Sequence, residues 1–205
     1  MFTQADLDEI NNRLFDAWKE RQYTAPSPDR VREQVLLRLG QPDAIWVETG
    51  TFYGNTTHFL ALNFRFVFSI EPEPTLFAKA LNRFADRPNI KIINGLSEDV
   101  FPELLPTLPA EVNFWLDGHY SAGDTHKGPV DTPIVQELAC IEEHLARFSK
   151  LTVLVDDIRC FNPAIEAFAD YPSVDYLVDW ARRLKLFWHI EHDIFVATNI
   201  KPTGI

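Results

Sequence analysis

Cysteine is scarce: the 205 residues contain two, Cys140 and Cys160. Their separation matches no metal-binding spacing, and free thiols of a reducing compartment are the reading they favour. Basic residues are in deficit too. Nineteen Lys and Arg stand against 30 Asp and Glu, a formal net charge of −11. Binding a phosphate backbone or an anionic membrane needs a basic surface, so neither nucleic acid nor membrane is an expected partner. The one short basic cluster, Ala181 to Lys185, reads as a solvated helix face. No apolar run approaches the ~18 residues of a membrane span. The opening "MFTQADLDEINNR" has neither the apolar core nor the basic start of a secretory signal. A cytoplasmic protein is expected. No internal repeat, low-complexity tract or domain linker interrupts the chain, and a homo-oligomer is left open.

What is present suits one α/β domain with a helical extension. Hydrophobic residues make up 46 %, and 16 Phe and 5 Trp make an aromatic-rich core. Residues 5–22 place Leu7, Ile10, Leu14, Phe15 and Trp18 on one helical face. Two prolines in "TAPSPDR" end that helix, Ser27 or Asp29 offers a cap for the next, and Gly40 stops it. Residues 1–43 therefore read as an N-terminal helical cap. From residue 44 short apolar strands (44–48, 66–71, 90–95, 112–117, 151–157) alternate with helical segments, the last two at 163–171 and 174–184. Such alternation predicts right-handed crossovers and a doubly wound, mostly parallel sheet covered on both faces. Residues 187–193 and 194–200, with almost nothing between them, predict a C-terminal antiparallel hairpin.

In a sheet of this kind ligands bind beyond the carboxyl ends of the strands. Four of the five strands end in carboxylates: Glu48, Glu71, Asp117 and the pair Asp156-Asp157. Unpaired carboxylates are costly to bury, so their convergence asks for cations or hydrogen-bond donors. The stretch "AIWVETGTFYGNTT" places Glu48 before a turn containing Gly50 and Gly54, which allow unusual φ and close approach of a ligand. Its spacing is not the dinucleotide fingerprint Gly-x-Gly-x-x-Gly, and no Walker lysine follows Gly54. An acid at that turn would repel pyrophosphate and welcome an ammonium or sulfonium charge. Glu71, 23 residues on at the end of the next strand, stands where an acid accepts ribose hydroxyls. An adenosine carrying a positively charged amino-acid tail satisfies both acids.

The ordered set "VETGTFYGNTT", "FSIEPEP", "INGLSEDV", "FWLDGH" and "LTVLVDD", across residues 44–198, resembles the class I S-adenosylmethionine-dependent methyltransferases. The resemblance implies a Rossmann-like fold. It implies that Glu48 and Gly50 line the methionine moiety, that Glu71 holds the ribose and that Ser97 lies near the adenine. Thr51, Gly54, Thr56 and Asp117 complete the expected cofactor contacts. Asp117, Asp156 and Asp157 further resemble the divalent-metal triad of metal-dependent O-methyltransferases of the macrocin and catechol type, with Mg²⁺ the candidate ion. His119 next to that triad would be the base, with Asp117, in transfer to oxygen of a small hydroxylated acceptor. Metal coordination lowers a hydroxyl pKa and prepares it for in-line attack on the methyl group.

Each residue also has a plainer reading. Glu71 caps a helix starting at Pro74, Ser97 caps the next, and Asp156-Asp157 pairs with Arg159. His119 is a hydrogen-bonded loop residue. Asp124 and His126, in the long loop 119–132, are ligand or lid candidates, whereas His58 is structural and His189 and His192 face solvent. Two other functions stay in view. A nicotinamide-dependent oxidoreductase is weakened by the incomplete glycine fingerprint and by the lack of a Tyr-x-x-x-Lys-like pair. A cofactor-binding scaffold without catalysis is the non-enzymatic alternative.

Overall fold

Strands that are apolar on both sides need cover on both faces, and the chain supplies it with helices before and between them. The computed structural model describes residues 4–118 and 132–201, with side chains from residue 9. Two helices, α1 (Gln4–Glu20) and α2 (Asp29–Leu39), precede β1 (Ile45–Thr49). Then α3 (Asn55–Asn63), β2 (Val67–Glu71), α4 (Pro74–Arg83), β3 (Ile90–Asn94), α5 (Ser97–Leu104) and β4 (Glu111–Leu116) alternate. After α6 (Ile134–Glu143) and β5 (Lys150–Val155) come α7 (Val174–Arg183) and the strands β6 (Phe187–Glu191) and β7 (Ile194–Thr198).

The seven strands form one sheet in the order β3-β2-β1-β4-β5-β7-β6. The first five are parallel, and β7 enters antiparallel beside β5 with β6 hairpinned onto its outer edge. Alternation along each strand sends neighbours to opposite faces. Ile45, Val47, Phe114 and Val153 join a core with residues of α5, α6 and α7, among them Phe101, Leu138 and Leu177. Trp46, Trp115 and Leu154 pack on the other side with Val35 and Leu36 of α2 and Leu60 of α3. The expected doubly wound sheet and terminal hairpin are both there. No described helix is long and apolar enough to cross a membrane.

Several boundaries differ from the sequence reading. Residues 163–171 form only a 3-10 turn at Glu166–Phe168. Pro163 and Pro172 bracket the segment, Ile165 is 45 % exposed and only Phe168 and Tyr171 reach the core, too short an apolar face to sustain a helix. In α1 the apolar face is largely in solvent: Trp18 is buried, whereas Ile10, Leu14 and Phe15 are exposed. Neither Ser27 nor Asp29 caps α2. Pro28 holds that position, Ser27 Oγ donates to His192 O, and Asp29 pairs with Arg32. Gly40 ends α2 with an ordinary φ of −63°. A Cβ there would lie 2.6 Å from the Trp46 ring, so contact rather than backbone freedom requires glycine.

One polar clamp ties the N-terminal cap to the sheet. The fully buried Asn113 of β4 accepts from Gln41 N at 3.1 Å and donates to Gln41 O at 3.3 Å. Replacing Asn113 by Leu leaves Gln41 N without its acceptor, while Gln41 O keeps the bond from Ala44 N. A loss of about 2 kcal/mol in urea unfolding is expected; an unchanged midpoint would remove the clamp.

Candidate functional site

The strand order reverses between β1 and β4, and a crevice opens beyond their carboxyl ends, as doubly wound sheets require. The first wall is the turn after β1. Gly50 N and Thr51 N both donate to Ile70 O, at 3.0 and 3.1 Å, which pins the turn to β2. Gly50 has φ +82°, and a Cβ there would meet Asp117 O at 2.5 Å. Gly54 has φ +79° and opens α3 as a left-handed cap with no side-chain acceptor on the helix N–H groups. Both glycines are thus needed for their backbone, but Gly54 packs on the Phe84 ring.

Gly50, Thr51, Gly54, Thr56 and Asp117 line one cavity of about 220 Å³, closed on the opposite side by Arg32 and its neighbours in α2. The structure therefore brings five of the proposed cofactor residues together and adds the N-terminal cap as a wall. Glu48, Glu71 and Ser97 lie behind this surface. Glu48 is 1 % exposed and accepts hydrogen bonds from Thr57 Oγ1 at 2.5 Å and Ser69 Oγ at 2.6 Å. Ser69 also bonds Thr51 Oγ1 at 2.6 Å, so the Thr51 side chain ties β1 to β2. Glu71 accepts from Phe52 N at 2.7 Å and from Glu73 N at 3.0 Å. It fixes the glycine turn from below, and the cap of α4 is Glu73, not Glu71. Ser97 is the first residue of α5 rather than its cap, and its hydroxyl bonds Glu137.

Burial dominates the electrostatics. It raises the Glu48 pKa from 4.5 to about 8, against the two hydroxyl bonds, with Asp117 and Glu71 adding repulsion. Glu137 of α6, 1 % exposed, rises from 4.5 to about 7 for the same reason, against bonds from Ser97 and Thr49. Asp156 is raised by burial and then by Asp117, with Arg32 opposing. Glu137, Ser69, Thr57 and Arg32 were not singled out from sequence. A signal existed for two of them: Glu137 shares the helical stripe of Ile134, Leu138 and Ile141, and Ser69 interrupts an apolar strand.

The three aspartates expected to hold a metal are not gathered as ligands. Among the described residues, the only three metal-type side chains with ligand atoms within 4.8 Å of one another are Cys140, Glu143 and His144, on α6 and just past its end. Arg32 Nη1 lies 2.5 Å from Asp156 Oδ2, and Arg159 Nη1 lies 2.5 Å from Asp157 Oδ1. The Arg159 pairing weighed from sequence is present, and the arrangement does not fit a divalent ion. His119, Asp124 and His126 lie outside the described residues. His58 stacks on Phe84 at 6.4 Å, a structural position. His189 is exposed and bonds Glu191, and His192, in the β6–β7 turn, packs on Trp18 at 5.7 Å.

No protein-family model matches the chain, and no curated protein matches it. Solved structures do. A Staphylococcus aureus protein assigned as a caffeoyl-CoA O-methyltransferase is 15 % identical, with 95 % of each chain covered and a TM-score of 0.53. A Clostridium thermocellum protein assigned as an rRNA methylase is 12 % identical, covering 82 % of this chain and 94 % of its own, with a TM-score of 0.53. A Streptococcus mutans protein assigned as a methyltransferase, solved in complex with SAH, is 14 % identical over 85 % of this chain and 98 % of its own, with a TM-score of 0.51. At these identities the likeness establishes the fold: a Rossmann-like α/β fold shared with methyltransferases.

The buried acids set a pH dependence. Glu48 and Glu137 bind their protons more tightly folded than unfolded. Their contribution to stability is complete below the ordinary carboxylate range and is lost as pH rises from about 4.5 to about 8. The melting temperature of the ligand-free protein should fall across that window, and Glu48→Gln should flatten the fall. Parallel profiles for the two proteins would mean that Glu48 is already ionised in the fold.

Proposed function

We propose that this chain is an S-adenosylmethionine-dependent methyltransferase acting on a small acceptor. The observation that carries the reading is the left-handed glycine turn Gly50–Gly54 at the strand-order reversal, anchored through Phe52 N to Glu71 at the end of β2. The cavity beside it suits the methionine part of the cofactor, with Thr56 and Asp117 on its walls. Glu71 accepts from the backbone N–H groups of Phe52 and Glu73 at the end of β2 and holds the turn against which the ribose would lie. The cofactor supplies an electrophilic methyl group on a sulfonium. The residues around it supply negative potential for that cation, a fixed backbone and exclusion of water by α2.

The acceptor we favour is a small hydroxylated molecule, methylated on oxygen. A net charge of −11 is a poor match to RNA phosphates, although rRNA methylases share the fold. Asp117 lines the cavity with Asp29 and Glu33 and adds negative potential for the sulfonium. A base role for His119 rests on the sequence pattern alone. No step is assigned to Mg²⁺, because Asp156 and Asp157 are paired with two different arginines.

Calorimetric titration of S-adenosylhomocysteine tests the reading. Micromolar binding is expected, weakened by on the order of 1–3 kcal/mol in Glu71→Gln, which keeps the side chain's shape. Absence of binding, or tight binding of a nicotinamide dinucleotide instead, would overturn it. Binding with no methyl transfer to any hydroxylated acceptor would favour a scaffold.

A further inference from the structure

The strand-end acids that a divalent ion would need are already served by a cation from the chain itself. Arg32 stands in the first turn of α2 and reaches across the crevice. Its Nη1 lies 2.5 Å from Asp156 Oδ2, and its Nη2 pairs with Asp29. The Asp156 side chain is 1 % exposed, which makes this a deep contact rather than a surface pair. Asp117 lies within electrostatic reach of both Arg32 and Asp156. Burial works against the guanidinium charge, but Asp156, Asp29 and Asp117 outweigh it and hold Arg32 firmly protonated.

Asp157, the third expected ligand, is paired with a different arginine. Its backbone is left-handed, with φ +57°, and its carboxylate pairs with Arg159, which also holds Asp193. A divalent ion needs several oxygens converging on one point at 2.0–2.6 Å. Here two arginines split the aspartates into separate pairs. A guanidinium provides what such an ion would provide, a fixed positive charge against buried carboxylates, but it is tethered and cannot exchange.

Among the described residues, Asp156 Oδ1 is buried with no hydrogen-bond partner, as are Glu98 Oε2 of α5 and Glu137 Oε1 of α6. Asp156 and Asp157 both line a second cavity, of about 270 Å³, bounded also by Ser27, Asp29, Arg32, Arg159 and Asp193. Asp29 and Arg32 line both this cavity and the one beside the glycine turn, so they form the wall between the two. A buried carboxylate oxygen left unpaired beside a cavity is costly and marks where a donor hydrogen would be received.

We propose that Arg32 is the resident cation of this crevice, standing where a divalent ion would otherwise bind, and that Asp156 Oδ1 is the atom left for a donor hydrogen of the acceptor. The second clause rests on the methyltransferase reading; the first does not. In any reaction here Arg32 is then a positioning residue that orients Asp156.

The test is Mn²⁺ titration of the cofactor-free protein, read by electron paramagnetic resonance, on wild type, Arg32→Met, and Arg32→Met with Asp156→Asn. The expected result is that wild type leaves the free-ion signal undiminished at Asp156. Arg32→Met gains one bound ion per chain, and adding Asp156→Asn removes it. A wild-type ion abolished by Asp156→Asn alone would overturn the proposal. So would a folded Arg32→Met, checked by circular dichroism, that gains no ion. If Arg32→Met does not fold, wild type against Asp156→Asn decides by the same readout. Because no cofactor is present, this outcome is separate from that of the S-adenosylhomocysteine titration.

Discussion

The rest of the structure depends on how carboxylates are kept at the buried ends of parallel strands. Glu48, Glu71, Asp117 and Asp156 reach the same rim because β1, β2, β4 and β5 all run in one direction. Left charged and unpaired there, they would cost several kcal/mol each. The fold meets that cost in three chemically distinct ways. Burial raises the Glu48 pKa, and two hydroxyls donate to it. Glu71 takes backbone N–H groups from the turn above and the helix beyond. Asp156 takes a guanidinium.

These solutions shape the crevice. Because Glu71 accepts from Phe52 N, the glycine turn is held against β2, and its close approach to Asp117 O leaves no room for a side chain at Gly50. Because Asp156 draws Arg32 inward, α2 is drawn over the same rim, and the N-terminal cap becomes a wall of the site rather than an appendage. The Asn113 clamp on Gln41 fixes the other end of that helix to the sheet. Stability and site geometry therefore share residues, and a change at Glu71 or Arg32 acts on both.

The sheet and its strand-end acids were legible in the sequence because each strand is a short apolar run closed by a carboxylate. The helix expected over 163–171 failed because only Phe168 and Tyr171 reach the core, while Ile165 stays exposed between bracketing prolines. The apolar face of α1 was read correctly as a pattern but not as a contact, since periodicity does not say what, if anything, covers a face. At the site, the glycine turn and Glu71 were visible as spacing. The hydrogen bonds of the buried acids were not, because Ser69 and Thr57, which meet Glu48, and Glu137, which meets Ser97, come from other elements and meet only in three dimensions. Arg32 was the largest omission: a basic residue on an amphipathic helix looks solvated until the sheet places Asp156 opposite it.

The proposed cofactor and acceptor rest on this division of the rim, in which burial raises the pKa values of Glu48 and Glu137. The direct measurement is a ¹³C NMR titration of the glutamate side-chain carboxyls. Glu48 should titrate near pH 8 and Glu137 near pH 7, well apart from exposed glutamates near 4.5. Titration of both with the exposed glutamates would contradict the account, because the rim would then be a fully charged surface held by other means.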